Sequence, residues 1–285
     1  MNPVKIITDS TADLSVELLK ELEVASLPLK VNFGDESFRD GIDITTEELY
    51  KKVEQTGVLP KTSAVAPGEF IKEFKHWIDQ GYDIVYLGIG STLSGTFQAA
   101  MVAKTEFDDE RIHLVDSKNL SSGIALLVLK GVDYIKDGLS AKDIADKLTK
   151  LVPKVRSQFA IQVLDYLHKG GRASGTQALV GKFLRVRPII KVVDGKLDVY
   201  KKPMGTMKKA VTIMLEEYVN EGKNVDLDYV MITHSLADKQ AEYMTDYVKE
   251  QLNPKKLIIS NAGCVISSHC GAGTIGILYI VKEWI

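Results

Sequence analysis

Small and hydroxylated residues gather in one turn at residues 88–96, which reads Gly-Ile-Gly-Ser-Thr-Leu-Ser-Gly-Thr. An apolar strand pattern at 83–87 precedes this turn, and an amphipathic helix pattern at 96–107 follows it. The first turn of a helix leaves backbone N–H groups unpaired and carries the positive end of the helix dipole. The turn is therefore predicted to bind an anion, with Ser94 at the helix N-cap and its hydroxyl facing the ligand.

A second hydroxyl and a histidine are candidates for the same anion site. Thr62 can offer its hydroxyl from another part of the chain. His269 lies among serine and glycine residues, which predicts a loop, and a protonated imidazole there would strengthen a hydrogen bond to an anion. Without further information, Thr62 is more simply a turn residue and Ser94 an ordinary helix cap. The Asp-Ser-Thr segment at 9–11 is interpreted as a cap for the helix that starts near Asp13.

Nucleotide and hydrolase fingerprints do not fit the 88–96 turn. A dinucleotide-binding Gly-x-Gly-x-x-Gly would need glycine where Leu93 stands, and the chain contains no Gly-x-x-x-x-Gly-Lys-Ser/Thr loop. The frame around Ser94 reads Thr-Leu-Ser-Gly-Thr rather than Gly-x-Ser-x-Gly. Cys264 and Cys270 are spaced unlike a metal or redox motif, so no metal ion or cofactor is predicted.

The composition is that of an ordinary globular protein. Of the 285 residues, 45% are hydrophobic and 26% are charged, and the formal net charge of −2 gives no basic footprint for nucleic acid. No apolar stretch reaches the roughly 20 residues of a membrane-spanning helix, and the N-terminal residues lack the charged-then-apolar pattern of a signal peptide. A cytoplasmic protein without a transmembrane segment is therefore expected.

The first half of the chain alternates short strand patterns with helical patterns. Strands are predicted at 4–8, 83–87 and 111–115, an extended stretch at 24–33, and helices at 15–23, 45–55, 67–80, 96–107 and 121–136. A capping box of Thr45 with Glu48 marks one helix start, and Pro67 suits the first turn of another helix. This alternation predicts a mostly parallel sheet with helices on both faces.

The pattern changes around Pro153. Strands are predicted at 158–163, 187–193, 196–200, 229–233, 257–260 and 274–280, and helices at 206–220 and 238–252. The dipeptide Asp194-Gly195 between two of these strands is a strong hairpin signal, and Gly170-Gly171 is predicted to serve turns with positive φ. The chain is predicted to be a two-domain α/β protein. Residues 1–154 form a parallel-type α/β domain, and residues 155–285 form a second α/β domain with a mixed or antiparallel sheet.

Six short segments, spread over nearly the whole chain, resemble the DegV family of fatty-acid-binding proteins. They are Thr8-Asp-Ser-Thr11, Thr62-Ser-Ala-Val-Ala-Pro67, Leu93-Ser-Gly-Thr96, Asp116-Ser117, Leu164-Asp-Tyr-Leu-His-Lys-Gly-Gly-Arg172 and Ser268-His-Cys-Gly-Ala-Gly273. No one segment is diagnostic alone, but six in this order make the resemblance specific. It spans about residues 3–283 as a single unit.

The resemblance implies a carrier, not an enzyme, that buries the acyl chain of a long-chain fatty acid such as palmitate. Thr62 and Ser94 match the residues that hold the carboxylate in this family, and His269 and Arg172 match positions near the head group. Members in many Gram-positive bacteria present the acid to a fatty-acid kinase for phospholipid synthesis. An Arg that members often carry after the hairpin is absent around Gly205, and this departure concerns the kinase partnership rather than acyl binding.

Two enzymatic interpretations remain open from the residues. Ser94, His269 and Asp116 supply the residue types of a Ser/His hydrolase. The family also has a fold relationship to the substrate domain of dihydroxyacetone kinase, which leaves a phosphotransferase component as the other alternative. The missing Gly-x-Ser-x-Gly frame argues against the first, and the missing phosphate-binding loop argues against the second.

Overall fold

The computed structural model describes residues 2–108, 110–171 and 186–283, and in it strands alternate with helices. The strands are β1 (Val4–Asp9), β2 (Ala25–Leu27), β3 (Lys30–Phe33), β4 (Glu36–Arg39), β5 (Lys61–Ser63), β6 (Asp83–Gly88), β7 (Ile112–Asp116), β8 (Val155–Ala160), β9 (Ile189–Val193), β10 (Lys196–Lys201), β11 (Val225–Ser235), β12 (Lys256–Asn261) and β13 (Thr274–Val281). The helices are α1 (Val16–Glu21), α2 (Thr46–Thr56), α3 (Pro67–Asp79), α4 (Thr96–Lys104), α5 (Ser122–Lys136), α6 (Ala141–Leu151), α7 (Leu164–Gly170), α8 (Met207–Glu221), α9 (Asp238–Gln251) and α10 (Cys264–Cys270).

A four-stranded parallel sheet is formed by the first part of the chain. Its strand order is β2-β1-β6-β7 and each neighbouring pair is parallel, which confirms the predicted parallel sheet. Asp9, Gly88 and Asp116 are the last residues of β1, β6 and β7. Because parallel strands end at the same edge of a sheet, the 88–96 turn begins between two aspartates at the edge where α/β proteins bind ligands.

A small antiparallel sheet with the order β4-β3-β5 is absent from the sequence-based prediction. Thr62 is the middle residue of β5 and lies opposite Val31 of β3. The interpretation of Thr62 as a turn residue is therefore wrong. Strands of three or four residues contain too few alternating positions to be recognised from their pattern.

The second part of the chain forms a six-stranded mixed sheet with the order β10-β9-β8-β13-β11-β12. Strands β11 and β12 are parallel and the other neighbours are antiparallel, which confirms the predicted mixed sheet. The predicted hairpin is present, with φ of 47° at Asp194 and 79° at Gly195. The strand predicted at 158–163 is displaced, since β8 ends at Ala160 and α7 begins at Leu164.

Helix α5 lies between the two large sheets. It packs against β1 and β6 of the parallel sheet and against β8, β11 and β13 of the mixed sheet. Its residues from Ser122 to Val132 are all buried, as is typical of a helix in the protein interior. One apolar cluster contains residues of both sheets. The division into domains at 1–154 and 155–285 stays a prediction.

Candidate functional site

A hydrogen bond between Thr62 and His269 joins residues that are 207 positions apart in the sequence. Thr62 Oγ1 of β5 lies 2.8 Å from His269 Nε2 of α10, and both residues are half-buried. The loop predicted around His269 is wrong, because residues Cys264–Cys270 form a helix whose last turn carries the imidazole. The structure therefore brings together two of the residues that the sequence nominated.

Ser94 lies just outside helix α4 and not at its N-cap. Gly95 is the N-cap, with φ of −71° and ψ of 0°, and its carbonyl accepts from the Ala99 N–H at 3.0 Å. The predicted N-cap is therefore wrong by one residue. The Oγ of Ser94 accepts from the Thr96 N–H at 3.3 Å and lies 2.9 Å from Thr96 Oγ1. The serine hydroxyl thus remains next to the positive end of α4.

One cavity of about 260 Å³ is lined by Thr62, Ser94 and His269 together. The rest of its lining is mainly apolar and includes Leu29, Ile89, Leu93, Leu120, Leu197, Val265 and Ile266. We call this cavity the hydroxyl chamber. Its few polar side chains in an apolar surround are typical of a site for an amphipathic small molecule.

A second cavity of about 60 Å³ adjoins the hydroxyl chamber. The side chains that line both cavities are Leu120, Leu197, Ile266 and His269. The second cavity is also lined by Phe159, Leu167 and Leu278, which are at most 9% exposed. We call it the apolar chamber. Together the two chambers offer polar groups at one end and buried hydrocarbon at the other.

The buried carboxylate of Asp9 holds the start of the 88–96 turn. It accepts hydrogen bonds from the Ile89 N–H at 2.9 Å and from the Thr11 N–H at 3.0 Å. Burial raises the pKa of Asp9 above its ordinary value, and these hydrogen bonds oppose that shift. The prediction that this segment caps the helix near Asp13 is wrong, because Ser15 is the N-cap of α1 and Asp9 caps the short 3-10 helix Ser10–Ala12.

The hydrolase alternative requires Ser94, His269 and Asp116 in one chain of hydrogen bonds. Asp116 instead accepts from the Ser91 backbone N–H at 3.1 Å and from Ser91 Oγ at 2.6 Å. Ser94 bonds within its own turn, and the imidazole Nε2 faces the threonine of β5. The geometry therefore gives this alternative no support.

Two buried aspartates that sequence reasoning missed cap the N-terminus of α10. Asp13 Oδ1 accepts from the Gly263 N–H at 2.8 Å, and Asp40 Oδ1 accepts from the Cys264 N–H at 2.7 Å. A helix cannot satisfy these N–H groups itself. Burial raises the pKa of both carboxyl groups, that of Asp13 well above its ordinary value. The partners are 250 and 224 positions apart, so no local sequence signal marks them.

Helix α7 packs against α10 and limits the space around the imidazole. A Cβ on Gly170 would lie 2.5 Å from His269 Nδ1, so this position needs glycine for space. Gly171, with φ of 66°, ends the helix in the left-handed region. The prediction of positive φ is therefore confirmed for Gly171 and wrong for Gly170. Arg172 lies outside the described residues.

The two cysteines are buried and free. Burial raises the pKa of the Cys264 thiol and of the Cys270 thiol to about 12, so neither forms a thiolate readily at neutral pH. Within residues 2–108, 110–171 and 186–283, no group of three or more His, Cys, Asp or Glu side chains could hold a metal ion. In the same described ranges, every helix is too short or too polar to cross a membrane.

Solved structures with this fold include proteins that bind fatty acids. A fatty-acid-binding DegV family protein from Thermus thermophilus aligns with a TM-score of 0.91 at 27% identity, and the match covers 99% of this chain and 100% of that chain. A stearic-acid-binding protein from Eubacterium ventriosum aligns with a TM-score of 0.87 at 30% identity, with 98% of each chain covered.

Sequence comparisons agree with the structural ones. A family profile described as "Uncharacterised protein, DegV family" matches residues 3–282. A DegV domain-containing protein from Clostridium perfringens is 31% identical over 282 residues, which cover 98% of this chain and 99% of the relative. Another from Clostridium acetobutylicum is 33% identical over 282 residues, which cover 99% of this chain and 100% of the relative. The chain therefore belongs to the DegV family.

Proposed function

We propose that this protein is a bacterial carrier that binds one long-chain fatty acid, such as palmitate, for lipid transport or fatty-acid metabolism. The observation that carries the proposal is the hydroxyl chamber, in which Thr62, Ser94 and His269 line an otherwise apolar cavity. The carboxylate binds to the hydroxyls of Thr62 and Ser94, and the acyl chain extends into the apolar chamber. The fatty-acid-binding relatives of the same fold support this assignment.

Burial of the acyl chain supplies most of the affinity. Each buried CH₂ contributes about 0.8 kcal/mol, so a palmitoyl chain contributes roughly 10 kcal/mol before the costs of ordering and association. The apolar side chains of both chambers provide the surface for this burial. The two cavities are small beside such a chain, so we expect their walls to separate as the ligand enters.

The carboxylate needs hydrogen-bond donors, because an unpaired buried charge costs several kcal/mol. The hydroxyls of Ser94 and Thr62 can donate, and Thr62 does so when His269 Nε2 carries a hydrogen and donates it to Thr62 Oγ1. Arg172 is proposed as a further neighbour of the head group. Neutral hydroxyl donors suit a carrier, since they hold the carboxylate without a strong ion pair that would oppose release.

Presentation to a fatty-acid kinase is the second part of the proposal, and it is based on the resemblance to the family. Ser63, Ala64 and Gly95 are exposed and also line the hydroxyl chamber. A carboxylate bound there therefore lies close to the surface, where a partner enzyme in the cytoplasm could reach it. In this proposal the chain itself contributes no catalytic residue and needs no cofactor, and the acid is its only small-molecule ligand.

Lipid analysis tests the carrier function directly. Protein purified from a bacterial host is expected to contain a fatty acid at about one equivalent, as expected for one chamber per chain. Denaturing extraction and mass spectrometry identify the acid. If the protein contains no lipid and also takes up no added palmitate, the proposal is wrong.

Replacement of Ser94 tests the carboxylate site. Ser94→Ala is expected to weaken palmitate binding by about 1–3 kcal/mol, because a buried carboxylate loses a donor. Displacement of a fluorescent fatty acid measures the affinity. Ser91→Ala is the matched control, since Ser91 belongs to the same turn but is exposed and bonds Asp116. Equal affinities for the two variants would remove Ser94 from the site.

A further inference from the structure

A ring of side chains separates the hydroxyl chamber from the apolar chamber. Leu197, Leu120 and Ile266 line both cavities and form the apolar part of this ring. Leu197 comes from β10, whereas Leu120 follows β7 and Ile266 belongs to α10. Leu197 is 4% exposed, so its side chain is packed within the ring rather than open to solvent. A chain that occupies both chambers must pass this residue.

The hairpin of β9 and β10 fixes the position of Leu197. Strand β10 is at the edge of the mixed sheet and pairs with β9, with Leu197 opposite Val192. The Thr92 hydroxyl donates a hydrogen bond to the Gly195 carbonyl at the hairpin tip. A Cβ on Gly195 would lie 2.9 Å from Thr92 Oγ1, so the tip sits directly on the 88–96 turn. Leu197 is thus held two residues from an anchored tip.

We infer that Leu197 determines acyl-chain length specificity, because it controls passage between the two chambers. The inference rests on the proposed function. A short acid such as octanoate places its carboxylate at Thr62 and Ser94 and fits its chain within the hydroxyl chamber. A long acid such as palmitate must also fill the apolar chamber and therefore needs room beside Leu197.

A larger side chain at position 197 should affect the short acid and the long acid differently. Leu197→Phe narrows the passage, so the ratio of palmitate affinity to octanoate affinity is expected to fall about tenfold or more relative to the wild type. Val193→Phe is the control on the same hairpin, since Val193 is exposed and lines neither chamber. Titration calorimetry with both acids measures the affinities, and near-ultraviolet circular dichroism reports whether the variants are folded.

A smaller side chain at position 197 tests the inference if Leu197→Phe fails to fold. Leu197→Ala widens the passage and is expected to speed palmitate dissociation about fivefold or more relative to octanoate dissociation. Folded variants that treat the two acids alike overturn the inference while the proposed function stands. A wild-type protein that binds neither acid contradicts the proposed function and the inference together.

Discussion

The polar groups at the two ends of helix α10 have different hydrogen-bond partners. At the N-terminal end, the carboxyl groups of Asp13 and Asp40 are buried and accept backbone N–H groups at 2.7–2.8 Å. At the C-terminal end, His269 meets Thr62 beside a cavity of about 260 Å³. At the first end both carboxyl groups accept from backbone N–H groups, beside a cavity of about 890 Å³ that Asp13 and Asp40 also line. The second leaves hydrogen-bonding groups facing open space.

One short helix therefore has buried acceptors at its first residues and the candidate site at its last turn. The carboxyl groups at one end satisfy helix N–H groups that the helix itself cannot pair. In the proposed function, hydroxyl groups beside the other end donate to a ligand carboxylate. Burial of polar atoms does not distinguish the two ends, because both contain such atoms. The hydrogen-bond partners distinguish them, since the carboxyl groups accept from backbone N–H groups whereas Thr62 and His269 bond to each other.

Removal of Asp40 is expected to have the largest effect on folding. Asp40→Ala leaves the buried Cys264 N–H without its acceptor, so the free energy of unfolding should fall by about 2 kcal/mol. Urea denaturation measures the change. Asp43→Ala is the control from the same loop, because Asp43 is exposed and bonds the Arg39 backbone N–H and side chain at the surface, so its loss should cost less. Ser94→Ala, in the hydroxyl chamber, is expected to change the free energy of unfolding by less than about 0.5 kcal/mol.

Insertion of a methyl group at Gly170 is expected to have a smaller effect, on binding rather than folding. Gly170→Ala pushes against His269 Nδ1, so palmitate affinity should fall about fivefold, close to 1 kcal/mol. Gly68→Ala is the control, since a Cβ there meets nothing within 4 Å. The affinities come from displacement of a fluorescent fatty acid. A Gly170→Ala variant that binds like the control would show that the imidazole position does not matter.

The fold was largely predictable from the sequence, because its strongest signals are local. The capping box of Thr45 and Glu48, Pro67 at a helix start and the Asp194-Gly195 hairpin each need a few neighbouring residues, and all are present as predicted. The parallel and mixed sheets follow from the order of such elements. Short elements such as β5 and α10 were not predicted, since they contain too little periodicity to recognise.

The sequence nominated residues that share one cavity, but it did not predict their geometry. Thr62, Ser94 and His269 do line one cavity, although Thr62 lies in a strand and His269 in a helix instead of the turn and loop expected. The supporting residues Asp13 and Asp40 were missed entirely. Their partners lie more than two hundred positions away, and a single sequence contains no record of such contacts.

A pH dependence of stability is expected to arise at the N-terminal end of α10. Burial raises the folded-state pKa of Asp13 above the ordinary value of 3.8, with Asp40, Asp9 and the Cys270 thiol as neighbouring ionisable groups. The folded state therefore holds a proton that the unfolded state releases. Its stabilisation is complete below pH 3.8 and is lost as the pH rises through the folded-state pKa.

Asp13→Asn tests whether Asp13 causes the slope of unfolding free energy against pH. The amide oxygen can still accept from the Gly263 N–H, and the Ser121 hydroxyl can turn to accept from the amide nitrogen. Because the variant cannot ionise at this position, its unfolding free energy should fall less steeply with rising pH than that of the wild type. Ser94→Ala removes no ionisable group, so its slope should match the wild type. A slope unchanged in Asp13→Asn would assign the pH dependence to other groups, such as the buried carboxyl groups of Asp40 and Asp9.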